Sequence, residues 1–341
     1  MVPAERTAAA DATLAVRPCG SHSPEHKAPS SSLNELSADR DATALRWMTY
    51  RPGPPRDTDL ARLEAALDRP GGWLVAFSGG VDSGLVAAVA HRLHPNALAV
   101  TASSPSLSAH ERRAAETTAA EIGIRHRFVE TREWQRPGYR ENTSQRCWHC
   151  KHELYTTLSQ IASHEGLGTI CNGTNLDDLG EHRPGLEAAR EAGVVSPLVD
   201  AGLDKARVRR LARLLGLSVS DKPASPCLAS RIAFGLEATP ERLARVERAE
   251  AALRSLGLDD FRVRHHQDDL ARVEVPAAAI PRLATEEVRR RLTAELLAAG
   301  FRYVTLDLEG LRSGSLHATS GGPLAVIDPP VADDEAADRR P

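Results

Sequence analysis

The sequence predicts an α/β protein, a doubly wound parallel sheet followed by a smaller C-terminal α+β domain, on three observations. Short apolar runs alternate with stretches of helical periodicity from Trp73 to Leu215. The first of these runs leads through a glycine turn into a helix, the βα step from which parallel sheets are built. Beyond Thr239 the order changes to helix, two strands, helix and strand, which is a different architecture.

Residues 1–56 are rich in Ala, Ser, Pro and charge and end in Arg51-Pro-Gly-Pro-Pro-Arg56, so they are expected to be a disordered extension. Met48 is an alternative start, and Cys19 in this stretch has no assigned task. The first helix is expected over Asp59 to Leu67. Trp73-Leu-Val-Ala-Phe77 is the first strand, and the helix after it carries Leu85, Val89 and Leu93 on one face. A second strand, Ala97 to Thr101, precedes a helix opened by Ser108 with Glu111 three residues on, the pattern of a capping box. A third strand covers Ile124 to Glu130, a fourth Thr169 to Asn172, and a helix runs from Asp204 to Leu215 until Gly216 stops it. These elements make up a nucleotide-binding domain over 57–235. In the second domain, 236–318, Thr239-Pro240 opens a long helix with Leu243, Val246, Leu253 and Leu256 inward. Strands at Phe261 to His266 and Ala271 to Val275, a helix from Thr285 to Ala298 and a strand from Arg302 to Leu308 follow. Residues 319–341, acidic after Ile327, are expected to be a disordered tail.

A chain of 341 residues with 41% hydrophobic and 26% charged residues buries a core of two-domain size. Its net charge of -3 gives no overall attraction to nucleic acid. No run approaches the roughly 18 apolar residues of a membrane span, and the N-terminus lacks the layout of a signal peptide. The expected location is the cytoplasm. Five cysteines, an odd number, suit metal or catalytic roles better than a disulfide framework.

Two constellations carry chemistry. Ser78-Gly79-Gly80-Val81-Asp82-Ser83 joins a strand to a helix. Its glycines let backbone amides close around phosphate oxygens, and the helix N-terminus adds partial positive charge there. No lysine follows the glycines, which distinguishes this loop from that of kinases and GTPases. The SGGxDS pattern matches the PP-loop, whose enzymes bind the pyrophosphate released when ATP is cleaved between its α and β phosphates. The second constellation is Cys147-Trp-His-Cys150 with Cys227, in Asp221-Lys-Pro-Ala-Ser-Pro-Cys-Leu-Ala-Ser-Arg231. Two thiolates on one turn suit a soft metal or a redox disulfide. Zinc would need a fourth ligand such as His149 or His152, and an iron-sulfur cluster on three cysteines would leave one iron open. Unligated packing thiols are the remaining alternative. Cys171, inside a strand, reads as a core thiol.

With these motifs the chain resembles LarE, the ATP-dependent sacrificial sulfur transferase family of nickel-pincer nucleotide biosynthesis, over roughly residues 60 to 318. Further matching strings are Gly173-Thr-Asn175, Arg183-Pro-Gly185, Ser196-Pro-Leu198, Gly202-Leu-Asp-Lys205, Arg262-Val-Arg-His-His266 and Glu309-Gly-Leu-Arg-Ser-Gly-Ser-Leu316. Leu311 stands where the last string is expected to carry an aromatic residue. The resemblance implies a small nucleotide substrate, a pyridinium biscarboxylate mononucleotide, adenylylated on a carboxylate and converted to a thiocarboxylate. Cys227 matches the sulfur-bearing cysteine. Some members have only that cysteine and sacrifice its sulfur, while others have three and carry a 4Fe-4S cluster. Cys147, Cys150 and Cys227 together imply the cluster type.

Magnesium-bound ATP is expected on Ser78 to Ser83, with Gly173 and Thr174 beside it, adenine near Thr101, and Asp82 either orienting magnesium or capping the loop. Arg262 and Arg264 alternate along one strand and resemble the family's substrate-phosphate site; on sequence pattern alone such a pair is more often solvated surface. Arg231 suits either a substrate carboxylate or an internal acid, and Trp148 either a pyridinium ring or plain packing. The resemblance also implies a homo-oligomer. The rivals are a tRNA thiolase of the PP-loop class, which would need a large basic surface, and a non-catalytic nucleotide-binding module with structural zinc.

Overall fold

The computed structural model describes residues 57–180, 184–312, 315 and 316. The expected N-terminal extension and acidic tail, with Cys19, Met48, Arg183, Ser313 and Gly314, lie outside the described residues.

Asp57 caps α1 (Thr58–Leu67) by accepting from the amides of Asp59 and Leu60. Strand β1 (Trp73–Ala76) then leads into α2 (Val81–Leu93), and β2 (Leu98–Ser103) into α3 (Ala109–Ile122). Ser108 caps α3 through the Glu111 amide, and Gly123 closes it in a left-handed turn. Strand β3 (Arg125–Glu130), α4 (Arg146–Glu165), β4 (Thr169–Cys171), α5 (Pro184–Glu191) and α6 (Lys205–Leu214) complete the first sheet and its helices. All pairings are parallel and the order is β3-β2-β1-β4. The chain therefore reverses its direction of winding between β1 and β4, the switch point where open α/β sheets bind ligands.

The period-two pattern of β1 decides which helices cover which face. Trp73, Val75 and Phe77 pack with α1, α2, α3 and α6, while Leu74 packs with Leu98, Val100 and the α4 residues Leu154, Tyr155 and Leu158. The twenty-residue α4 is the longest helix described and has no counterpart among the sequence expectations. Its apolar spacing starts only at Leu154, because its first two turns face the cysteine site rather than the core.

Thr239 caps α7 (Pro240–Ser255), with Pro240 in its first turn, and Leu243, Val246 and Leu253 are fully buried, as their spacing predicts. Strands β5 (Arg262–His265) and β6 (Leu270–Glu274) pair antiparallel; α8 (Glu286–Ala298) then crosses over to β7 (Tyr303–Leu306), which lies parallel to β6. Tyr139, Leu228, Ala229 and Ile232 join the core of this second sheet, so the segment after Cys227 belongs to it structurally. An isolated parallel bridge between Ile232 and His265 adds the same segment to the edge of β5.

Candidate active site

The SGGVDS loop is held in its cradle shape by its own serines. Ser83 Oγ accepts from the Ser78 amide at 3.1 Å, lies 3.0 Å from Ser78 Oγ, and is 3.3 Å from the Gly80 carbonyl it donates to. Gly79 has φ +70°, and a Cβ there would come within 2.5 Å of the Ala115 Cα, so both backbone conformation and close packing on α3 require glycine. Gly173 has the same kind of constraint from the other side of the switch point, because its Cβ would lie 2.6 Å from the Ser83 amide nitrogen. Val81 is buried in the first core. Asp82 accepts from Asn175 Nδ2 at 3.1 Å and from Lys205 Nζ at 2.5 Å. Asn172 accepts from the Thr174 amide and from Ser196 Oγ, both at 3.0 Å. The strings at 173–175, 196–198 and 202–205 thus converge behind the loop. Thr101 is buried, and its hydroxyl donates to the Phe77 carbonyl at 2.8 Å and lies 2.8 Å from His126 Nε2, bracing the strand that enters the loop.

Cys147 and Cys150 lie in the first two turns of α4, three residues apart on one side. Lys151 follows them with Nζ 6.0 Å from the centroid of the Tyr155 ring, and nearby Tyr155, then Cys150, Cys147 and Cys227, raise its pKa. Burial pushes the Cys150 thiol up to about 12, whereas Cys147 and Cys227 are exposed. Two buried residues hold the Cys227 segment against α4. Arg146 donates from Nη1 to the Ala229 carbonyl at 2.7 Å and to Asn142 Oδ1. Asn142, at φ 53°, directs Nδ2 to the carbonyls of Ile232, Ala233 and Leu236. Tyr139 hydrogen-bonds Ser106 Oγ, while the Ser106 carbonyl accepts from the Leu228 amide at 3.0 Å. Gly185 packs on Lys151 and Cys147, where a Cβ would meet Lys151 Cγ at 3.2 Å. Among the described residues no group of three or more His, Cys, Asp or Glu side chains is drawn together as a metal site, so Cys147, Cys150 and Cys227 are short of the assembled ligand set expected for them.

The arginines depart most from the sequence reading. Arg231 is buried, with Nε 2.8 Å from Glu250 Oε1 and Nη1 on the Pro226 carbonyl at 2.8 Å; of its two expected partners it has the internal acid. Arg264 is also buried, so the solvated-surface alternative does not hold for it. It donates to Glu274 at 3.0 Å, to the Ser230 carbonyl at 2.8 Å and to Ser315 Oγ at 2.9 Å, and burial lowers its pKa to about 10. Arg262 is half-buried and has no ion pair among the described residues; burial and the neighbouring Arg231 charge lower its pKa. It is the arginine of this group that no described carboxylate pairs. Trp148 stacks on His152 at 4.7 Å and donates Nε1 to Glu191 at 3.2 Å.

Asn142, Arg146, Tyr139, Ser106, Glu250 and Glu274 position these groups, and sequence reasoning missed all six. Asn142 and Arg146 precede Cys147 at helical spacing, yet nothing in the sequence says that their partners are carbonyls about ninety residues away.

A family model described as Asparagine synthase matches residues 67–147, which contain the SGGVDS loop. The chain is 46% identical over 260 residues to an uncharacterised protein of Synechocystis, covering 76% of this chain and 96% of the relative. It is 38% identical over 264 residues to the pyridinium-3,5-bisthiocarboxylic acid mononucleotide synthase of Lactiplantibacillus plantarum, covering 77% and 95%. An uncharacterised protein of Methanocaldococcus jannaschii is 26% identical over 240 residues, covering 70% and 90%. Coverage of nearly the whole synthase, by the same segment that carries the loop and the cysteines, means that the chain belongs to the LarE family, that of the pyridinium-3,5-bisthiocarboxylic acid mononucleotide synthase.

Proposed function

We propose that this chain uses magnesium-bound ATP to adenylylate a carboxylate of pyridinium-3,5-biscarboxylic acid mononucleotide and converts it to the thiocarboxylate, a step toward the nickel-pincer nucleotide. One observation carries the reading: the segment from Lys222 to Arg231 begins at the nucleotide loop, with Lys222 Nζ 3.4 Å from the Gly79 carbonyl, and past Cys227 it is held to the start of α4, where Arg146, the residue before Cys147, donates to the Ala229 carbonyl at 2.7 Å. ATP activation and sulfur delivery thereby share one stretch of chain.

In this reading the amides of Gly79 and Gly80 and the hydroxyls of Ser78 and Ser83 receive the departing pyrophosphate, with the N-terminus of α2 behind them. Asn175 and Lys205 fix Asp82, which keeps the loop closed or turns to magnesium. A substrate carboxylate oxygen attacks the α phosphorus and pyrophosphate leaves. A sulfur nucleophile then adds to the acyl carbon and AMP leaves, taking the oxygen with it. Arg262 takes the substrate phosphate, Arg231 and Arg264 shape the wall behind it, and Trp148 flanks the ring.

Cys147 and Cys150 near the start of α4, with Cys227 on an exposed segment that Arg146 ties to that helix through the Ala229 carbonyl, have the donor chemistry of a thiolate-held 4Fe-4S cluster. Such a cluster supplies a centre that holds an extra sulfide. Residues 57–235 form the nucleotide-binding part, its last stretch from Leu228 packing with the second sheet, and 236–318 the substrate part of a cytoplasmic homo-oligomer, with sulfide or a cysteine desulfurase as donor. No described helix is long and apolar enough to cross a membrane.

The test supplies the mononucleotide, ATP and sulfide to anaerobically purified protein. Thiocarboxylate formed with AMP and pyrophosphate in equal amounts is expected, with iron and acid-labile sulfide in the protein. ADP as the product would refute the adenylylation. Loss of hydrogen sulfide from Cys227 in one-to-one yield, with Cys147 and Cys150 dispensable, would refute the relay and make the chain a single-use reagent.

A further inference from the structure

The nucleotide loop contains no lysine, although a leaving pyrophosphate carries several negative charges that loop amides only partly offset. A lysine nevertheless stands at its mouth. Lys222 Nζ lies 3.4 Å from the Gly79 carbonyl oxygen and 2.7 Å from Glu111 Oε2 on α3. Both side chains are largely withdrawn from water, 18% and 16% exposed, so the pair is not an ordinary surface contact. Gly79, whose left-handed turn packs directly on α3, fixes the distance between loop and helix and therefore the place of the ammonium.

Lys222 is also the first residue of the strap that reaches Cys227. Arg209 holds the carbonyls of Ser220 and Lys222 at 2.6 and 2.9 Å. Residues 223–227 are exposed, and the chain is fastened again where the Leu228 amide donates to the Ser106 carbonyl. We propose that Lys222 supplies the phosphate-binding ammonium that the loop itself lacks, exchanging Glu111 for the β and γ phosphates of ATP, and that this exchange ties nucleotide occupancy to the position of Cys227. A single carboxylate is a weaker partner for an ammonium than a polyphosphate of several charges, so the exchange is favourable once phosphates fill the loop. The long lysine side chain spans the short move without unfolding the strap. The proposal rests on the use of ATP argued above and adds a residue and a coupling to it.

The test measures binding of pyrophosphate and of AMP separately, and the alkylation rate of Cys227 by iodoacetamide with and without pyrophosphate. Lys222→Met should weaken pyrophosphate roughly 10- to 100-fold, the loss of one charge-assisted contact, and leave AMP unchanged. Lys222→Arg should recover most of that binding. Glu111→Gln, which removes the competing anion, should tighten pyrophosphate severalfold, a gain that misfolding does not produce. Pyrophosphate should alter Cys227 alkylation in the native protein and leave it unaltered in Lys222→Met. Equal loss of AMP and pyrophosphate in Lys222→Met, unchanged pyrophosphate affinity in both Lys222→Met and Glu111→Gln, or alkylation that ignores pyrophosphate in the native protein would overturn the proposal. Native protein that binds neither ATP nor pyrophosphate would overturn the ATP assignment as well, which separates the two failures.

Discussion

Glu250→Gln removes one charge from a buried pair, together with the long 3.5 Å contact that Oε2 accepts from Arg231 Nη2. Glu250 and Arg231 are 4% and 5% exposed. Glu250 Oε1 receives Arg231 Nε at 2.8 Å and the Val263 amide at 3.2 Å. Glutamine can still accept both bonds, so the cost is that of leaving the Arg231 cation buried without its counter-ion. Breaking such a pair costs about 3–5 kcal/mol, and the retained acceptor places this variant near the lower end, about 3 kcal/mol. At about 2–4 °C per kcal/mol for a chain of this size, the melting temperature should fall by roughly 6–12 °C. Urea unfolding should show a lower midpoint with an unchanged slope, because the surface exposed on unfolding is the same. A loss below about 1 kcal/mol would show that water reaches the pair and would refute the burial argument. Because Arg231 also holds the Pro226 carbonyl, one residue before Cys227, sulfur transfer should suffer more than adenylylation. The double variant Arg231→Met, Glu250→Leu should recover stability without recovering sulfur transfer.

Asp82→Ala and Ser78→Ala should each reduce pyrophosphate release at least about tenfold, by loss of a contact worth about 1.5 kcal/mol, with little change in melting; near-normal adenylylation in both would remove the loop from the chemistry. Arg262→Ala should weaken the nucleotide substrate by one to two decades, about 1.5–3 kcal/mol, and spare ATP, and equal loss for both ligands would argue against a substrate site there. Cys147→Ser, Cys150→Ser and Cys227→Ser should each abolish iron retention, read by elemental analysis, whereas Cys171→Ser should keep it. Burial holds His265 below its ordinary 6.5, so the unfolded chain takes up a proton the native state refuses. Stability from this group is therefore intact above pH 6.5 and declines as pH falls below it, by up to about 1.4 kcal/mol per pH unit. His265→Phe should flatten that part of a stability-against-pH curve measured from pH 5.5 to 8, and an unchanged slope would remove His265 as its source.

The sheet was legible because β1, β2 and β4 are short, mostly apolar runs, where local pattern and tertiary structure agree, and β3, Arg125-His-Arg-Phe-Val-Glu130, follows the buried Ile124 after a glycine turn. The two constellations were legible as strings, since phosphate cradling and thiol ligation both impose close spacing. The arginines were not. Alternation placed Arg262 and Arg264 on one side of β5, but whether that side meets water or Glu274 depends on β6 and on Ser315, fifty-one residues away. The start of α4 escaped for a related reason. Helical periodicity reports burial against a core, and Arg146 to Lys151 are arranged around a site whose other half arrives from residues 227–236.

The strap from Lys222 to Arg231 is fastened at one end to the nucleotide loop and at the other to α7 and β5. Pro223 and Pro226 lie between the fastenings. Each proline locks one torsion and withholds one amide, so the span is stiff and takes up little slack. A stiff length of chain held at both ends transmits displacement instead of absorbing it, and Cys227 sits next to the second proline. A small shift of either anchor is thus delivered to the sulfur atom, which makes the length of the strap, as much as its chemistry, a property the protein has to keep.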